Sequence, residues 1–323
     1  MQLSEQWYPS ASLEVLQQRA ALLSAVREFF AQRNVLEVDT PLMSRFGVTD
    51  LHVDNLTTQL QAFPQTTFYL QTSPEYAMKR LLAAYGQSIY QLGKVFRDDN
   101  VGRFHNPEFT MLEWYRVGFN QQQLIDEVVT LLQSVIGDLP VHQCSYQQAF
   151  MQSIGVDPLS ATDDELRNCL KTFSEIADLA AREDNRDTLL QLAMAMIVEP
   201  QFTAQAITII DSFPASQAAL AQLSDDNPLV ARRFEVYVGG IELANGYQEL
   251  TEAKTQSRRF AQDNQQRSQH GKTQQPSDHR LIAALEHGFP VCSGVALGFD
   301  RLLMLQLKKQ MIAEVLPFAL TCA

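Results

Sequence analysis

The sequence predicts an α+β fold. Residues 88–97 and 107–117 alternate like paired strands across a polar loop containing Gly102 and Arg103. Residues 234–238 and 241–244 flank Gly239-Gly240, a hairpin turn signal. Helical patterns cover 12–33 and 121–136. The chain has 323 residues, 46% of them hydrophobic, enough for a sizeable core in one large domain or two ordinary ones.

Each element has its own signal. In 12–33, Leu13, Leu16, Ala20, Leu23 and Phe30 recur near helical spacing, and Ser10 or Ser12 can cap the start. Asn34 ends that helix, and a strand at 35–38 runs into Pro41. Residues 68–72 read as a strand, and Ser73-Pro74-Glu75 opens a helix with Pro74 at its first position. Residues 138–230 are less regular and mostly helical, with acidic clusters at 163–165 and 183–187. They read as an insertion within a single domain spanning 1–323. Residues 255–280 are rich in Gln, Arg and His and predict an exposed helix and loop. Residues 291–299 predict a strand and 300–310 a helix.

Composition narrows the function. The net charge of −12 lacks the basic footprint of a nucleic-acid binder. Cys144, Cys169, Cys292 and Cys322 form no C-x-x-C pair and read as reduced, non-metal thiols. The N-terminal residues carry no signal-peptide pattern, and no apolar run is long enough to span a bilayer, so a cytoplasmic location is expected.

Strand alternation places Phe109, Met111, Glu113 and Tyr115 on one face, and Glu108, Thr110, Leu112 and Trp114 on the other. The first face suits a ligand with a flat ring and an ammonium; a half-buried strand with a solvated Glu is the simpler reading. Gly294, Ala296 and Gly298 also share a face. They leave room for a ligand or for close packing against a helix. In the hairpin, a two-residue turn would set Tyr237 opposite Glu242 and Glu235 opposite Ala244. Glu235 and Glu242 then lie diagonally, within reach of a shared Mg²⁺ or as ordinary surface acids.

Three segments in order carry a resemblance: Glu37–Met43 around Pro41, Phe96–Asp99 running on to His105–Tyr115, and Gly294–Arg301. They resemble motifs 1, 2 and 3 of class II aminoacyl-tRNA synthetases. The resemblance implies an antiparallel sheet flanked by helices, a homodimer formed through motif 1, and activation of a carboxylate by ATP with Mg²⁺. It implies that Arg97 and Arg301 are catalytic, Arg97 at the α-phosphate and the substrate carboxylate, Arg301 against adenine and the terminal phosphates. Asp99, His105, Asn106, Phe109, Glu242, Leu243 and Gly298 complete the ATP site, and Glu235 and Glu242 hold the metal. The family pattern is Arg-x-Glu where this chain has Arg97-Asp98-Asp99.

Glu242–Leu250 is similar to the lysine-holding segment of lysyl-tRNA synthetases. That likeness implies a substrate pocket of Ser73, Glu75, Glu113, Tyr115, Asn245, Glu249, Gly294 and Ala296. Three glutamates there suit a diamine. Motif 1 begins within the first few dozen residues, leaving no space for an anticodon-binding OB domain. The chain therefore most resembles the stand-alone lysyl-tRNA synthetase paralogues that ligate (R)-β-lysine to a lysine side chain of translation elongation factor P, with no tRNA as acceptor. Ala296 replaces a glycine of lysyl-tRNA synthetases, and its methyl would favour a β-amino over an α-amino group. Other readings are a truncated lysyl-tRNA synthetase core, a non-catalytic regulatory paralogue and a stand-alone amide synthetase.

Overall fold

The computed structural model describes residues 7–323. Helix α1 (Leu13–Ala31) is followed by strands β1 (Leu36–Glu37), β2 (Met43–Ser44), β3 (Thr57–Leu60) and β4 (Phe63–Leu70). Next come helix α2 (Glu75–Tyr85), strands β5 (Ile89–Phe96) and β6 (Glu108–Val117), and helix α3 (Gln121–Ile136). Strand β7 (Val141–Ser145) precedes helices α4 (Tyr146–Ile154), α5 (Asp163–Leu170), α6 (Ala177–Arg182) and α7 (Arg186–Ala193). Strands β8 (Ile207–Pro214), β9 (Val230–Val238) and β10 (Ile241–Gln248) follow. The chain closes with helices α8 (Ala253–Gln269) and α9 (His279–Gly288), strand β11 (Cys292–Gly298) and helix α10 (Phe299–Gln306).

Contacts divide the chain into two compact units. One contains the residues up to Phe119, Thr130–Ile136 and Thr251–Ala323; the other contains Asn120–Val129 and Gly137–Leu250. In the first, strands run in the order β1-β5-β6-β11, parallel at β1–β5 and antiparallel after it. A separate three-stranded antiparallel sheet has the order β2-β4-β3. In the second unit the order is β10-β9-β8-β7, antiparallel except for the β7–β8 pair. The hairpin 234–244 clusters with the predicted 138–230 insertion. Helices α4–α7 lie in chain order between β7 and β8.

Local signals explain most boundaries. Ser12 caps α1, its Oγ accepting from the Val15 amide at 3.3 Å. The acidic cluster 163–165 is a helix start: Thr162 caps α5 and Glu165 completes a capping box. Gly239 and Gly240 have φ of 61° and 72°, the conformation a two-residue hairpin turn needs. A Cβ on Gly240 would also lie 2.9 Å from the Glu199 carbonyl.

Two readings need correction. The buried face of α1 is Val15, Arg19, Leu22, Val26, Phe29 and Phe30, whereas Leu13 is 71% exposed. An arginine sits in mid-face, so counting apolar residues rotates the helix incorrectly. Likewise α8 is not simply an exposed helix, because Gln256, Phe260 and Arg267 are buried. Arg267 pairs with Asp54 at 2.7 Å and donates to the Asp50 and Thr273 carbonyls.

The buried Arg19 organises the first unit. Its Nη1 meets Asp300 Oδ1 at 2.6 Å, and its Nη2 donates to Thr110 Oγ1 at 2.7 Å. Asp300 Oδ2 accepts the Thr110 amide at 2.7 Å. Helix α1, strand β6 and the β11–α10 junction are thereby joined. The Phe30 ring of α1 stacks on Tyr90 and meets Trp114 edge-on, covering the β5–β6 face opposite Glu113. Removing one member of a buried ion pair strands the other, at about 3–5 kcal/mol. Asp300→Asn should therefore lose about that much stability in urea denaturation, while a surface change such as Glu14→Gln should lose almost none.

Candidate active site

The β6–β11 register builds one face of the first unit. Gly294 pairs with Tyr115, Ala296 with Glu113, and Gly298 with Met111. Directly paired residues share a face. The stripe of small residues therefore lies beside the carboxylate and the phenol, as alternation predicts. The atoms nearest a Cβ added at Gly298 would be those of the Arg301 side chain, at 3.6–3.7 Å. Ordinary contact of this kind leaves packing without a need for glycine there.

Glu113 is 2% exposed. Its Oε2 accepts from Ser73 Oγ at 2.6 Å and its Oε1 from the Tyr115 hydroxyl at 2.7 Å. Ser73 Oγ also accepts the Glu75 amide at 3.0 Å, which ties the pocket to the start of α2. These donors aim the carboxylate. Glu75 pairs with the buried Lys79 at 2.7 Å, so part of its charge is matched within α2.

Arg97 follows β5, and its amide bonds to the Pro107 carbonyl at 2.9 Å across the strand pair. Its guanidinium lies over the Phe109 ring, 5.3 Å from the centroid. Arg97 Nε is buried and has no hydrogen-bond partner among the described residues. A fixed cation on an aromatic face with a buried donor unspent is poised for an anion. Asn106, by contrast, spends both ends of its amide internally, on the Glu108 carbonyl at 2.7 Å and the Leu320 amide at 3.0 Å. It holds the loop. Asp99 is exposed in that loop.

Arg301 donates from Nε to the Phe104 carbonyl at 3.2 Å, and its Nη2 lies 2.9 Å from His105 Nε2. A guanidinium can only donate, so His105 Nε2 accepts and its proton sits on Nδ1.

The second unit brings together the hairpin residues. Glu242 pairs with Tyr237 as predicted, but the register then shifts, so Ala244 faces Val236 and Asn245 faces Glu235. The prediction that Glu235 faces Ala244 is corrected: Leu243 is the extra residue of a β-bulge. The bulge changes the parity of the strand and puts Asn245 on the face of Glu235. Asn245 Nδ2 donates to Glu235 Oε1 at 3.1 Å. Its Oδ1 is buried without a partner among the described residues. Leu243 is buried, and Glu249 is 2% exposed, bridging to Ala221 beyond β10.

Glu235 is crowded. Arg233 Nη2 reaches its Oε1 at 2.5 Å, and the Tyr237 hydroxyl donates to its Oε2. Burial raises its carboxyl above the usual range, Arg233 opposes this, and Glu242 adds to it. Two neighbouring carboxylates in a desolvated hairpin fit Mg²⁺, which takes one or two carboxylates and completes its shell with phosphates. Among the described residues no group of three or more His, Cys, Asp or Glu is arranged to hold a metal by itself.

Sequence reasoning assigned no role to Arg19, Thr110 and Asp300, or to Arg233 and Tyr237. The first three are far apart in the chain and no pattern links them. Arg233, Glu235 and Tyr237 had a signal in their i, i+2 spacing, which puts them on one strand face. Burial, then the Arg301 charge, pushes His105 below its ordinary 6.5. The ring should titrate below that value by NMR, and Arg301→Ala should move its midpoint upward.

The chain matches the family tRNA synthetases class II (D, K and N) over residues 6–321. It is 50% identical over 315 residues to the elongation factor P–(R)-β-lysine ligase of Proteus mirabilis, covering 97% of each chain. It is 49% identical over 320 residues to the protein of the same name from Pseudoalteromonas translucida, covering 98% of each. The likeness to the Salmonella typhi protein of that name is 50% over 315 residues, again 97% of each. With nearly its whole length matched, and with Arg97, Glu113 and the Gly294–Gly298 stripe held as described, the chain belongs to the class II (D, K and N) tRNA synthetase family.

Proposed function

We propose that this protein is an ATP-dependent ligase that activates (R)-β-lysine as an adenylate and transfers it to a lysine side chain of elongation factor P. The observation that carries the chemistry is Arg97, a fixed guanidinium over Phe109 with a buried donor unspent. The names of relatives about 50% identical along almost their whole length support the substrate and the acceptor.

The substrate carboxylate attacks the α-phosphorus of ATP, and the bond to pyrophosphate breaks. Charge grows on the phosphate oxygens, where Arg97 stabilises it without transferring a proton. Arg301, oriented by Phe104 and His105, takes the adenine and terminal phosphates, with Asp99, Phe109, Leu243 and Gly298 as further ATP contacts. Asn106 acts by holding the loop. When bound, Mg²⁺ neutralises the phosphate oxygens, and Glu242 with Glu235 would hold it. Glu113, aimed by Ser73 and Tyr115, accepts from one ammonium group of the diamine; Glu249, Asn245 and Glu75 serve the substrate as well. In the second step the acceptor amine, having lost a proton, attacks the acyl carbon and AMP leaves.

The reading includes a homodimer formed through the segment around Pro41, where Leu36 and Leu42 are 55% and 41% exposed. It also includes a cytoplasmic location; no helix among the described residues is long and apolar enough to cross a membrane.

Arg97→Ala should slow ATP–pyrophosphate exchange a hundred- to thousandfold, about 3–4 kcal/mol, with an unchanged melting curve. Near-normal exchange would remove Arg97 from the chemistry. With radiolabelled β-lysine and both acceptors present, label should enter elongation factor P; charging of tRNA-Lys alone would overturn the acceptor. Ala296 lies directly opposite Glu113, so its methyl borders the site proposed for a substrate ammonium group. Ala296→Gly should shift the α-lysine to β-lysine ratio of kcat/KM toward α-lysine by about ten- to two-hundredfold. An unchanged ratio would make Ala296 a packing residue.

A further inference from the structure

We infer that the segment Gln310–Leu320 pre-forms the nucleotide-binding loop 97–107, with Gln310 as a positioning residue. This rests on the ATP reading above.

The loop carries Arg97, Asp99, His105 and Asn106, and is exposed along most of its length. Alone, such a loop would sample many conformations, and ATP binding would bear the cost of ordering it. Instead it is tied down at successive points. Arg103 makes a two-pronged contact with Gln310, Nε to the carbonyl at 3.0 Å and Nη2 to Oε1 at 2.7 Å. The Ile312 amide donates to the Arg103 carbonyl at 2.9 Å, and the Leu320 amide to Asn106 Oδ1 at 3.0 Å. Inside the loop, the Gly102 amide bonds to the His105 carbonyl at 3.1 Å.

The segment that supplies these partners is itself anchored. Lys308, at φ 53°, follows α10 in the left-handed region. The Lys308 amide bonds to the Leu305 carbonyl and the Lys309 amide to the Met304 carbonyl, the paired bonds of a Schellman turn, which redirects the chain. Glu314 Oε2 collects the Gln310 and Met311 amides, each at 2.9 Å, and closes the next turn. At the far end, Ser10 accepts the Ala319 amide at 2.8 Å and donates its own amide to the Pro317 carbonyl at 2.9 Å. Arg19, in the helix that follows, takes the Val315 carbonyl at 3.4 Å. The strap is thus fixed to α1 and α10, and hands a rigid set of donors and acceptors to the loop.

Gln310 and Arg103 are both exposed, so their contact adds little to global stability. Its effect falls on the population of the ordered loop, and losing one net hydrogen bond should change that about three- to tenfold. Gln310→Ala separates the two roles. Without nucleotide, the Gly102 and Ile312 amides should exchange with deuterium about three- to tenfold faster, while the Thr110 amide, bonded to Asp300, keeps its rate. In pyrophosphate exchange, KM for ATP should rise by a similar factor with kcat at saturating ATP unchanged. Gln310→Glu, which keeps the acceptor, should restore both. Leu320→Pro, which removes the donor to Asn106, should give the same split. Unchanged loop exchange and unchanged KM in folded Gln310→Ala would overturn the inference, as would acceleration that included Thr110. If the wild-type protein shows no pyrophosphate exchange with any amino acid, the ATP reading fails, while the amide rates still decide whether the strap orders the loop.

Discussion

The contact among Arg19, Asp300 and Thr110 is the constraint on which the first unit depends. Three segments from different parts of the chain meet there: the first helix, the strand that carries Glu113, and the junction that presents Arg301. A buried ion pair is a poor source of net stability, because desolvating both charges offsets their attraction. Its value here is directional. Both carboxylate oxygens of Asp300 are engaged, one by Arg19 and one by the Thr110 amide. The register of α10 against β6 therefore has little freedom. Arg301 is the next residue, so its direction is inherited from a contact it does not make.

In the second unit Glu235 has a similar arrangement of fixed donors, with a different consequence. Arg233, Tyr237 and Asn245 all point at one carboxylate. Burial alone would favour its protonated form, and Arg233 works against that. The donated amide of Asn245 turns its carbonyl oxygen the other way, where it stays unspent. A charged group and its counter-ion thus fix the polarity of a neutral side chain, which an isolated asparagine could reverse by a simple flip.

Much of this was legible in the sequence. The strand faces of 107–117 and 291–299 follow from alternation, and the pairing of Ala296 with Glu113 bears them out. The glycine pair marked the hairpin, and Thr162 with Glu165 explains the acidic cluster at 163–165 as the start of a helix. The failures share a cause. Arg19 hid the buried face of α1, and Arg267 lies buried in a helix that reads as polar throughout. Local patterning treats a charge as solvent-facing, and only the distant partner, Asp300 or Asp54, reverses that. The bulge at Leu243 was invisible because nothing in Glu242–Asn245 distinguishes a regular pleat from one with an extra residue. Strands β2 and β3 were missed for their brevity.

That bulge also limits how the hairpin can change. A strand distinguishes odd from even spacing, so length and function are coupled there through parity. Deleting Leu243 would leave an ideal ladder with Glu242 and Asn245 still on one face, whereas ironing out the bulge at the present length would put them on opposite faces. Inserting one residue beside the bulge would also separate them, unless a second irregularity restored the parity. Substitutions at Leu243 answer to its packing and its contacts, whereas changes in length answer to parity. The segment can drift in composition, yet the number of residues separating its carboxylate from its amide and the presence of the bulge must change together for as long as both must look the same way.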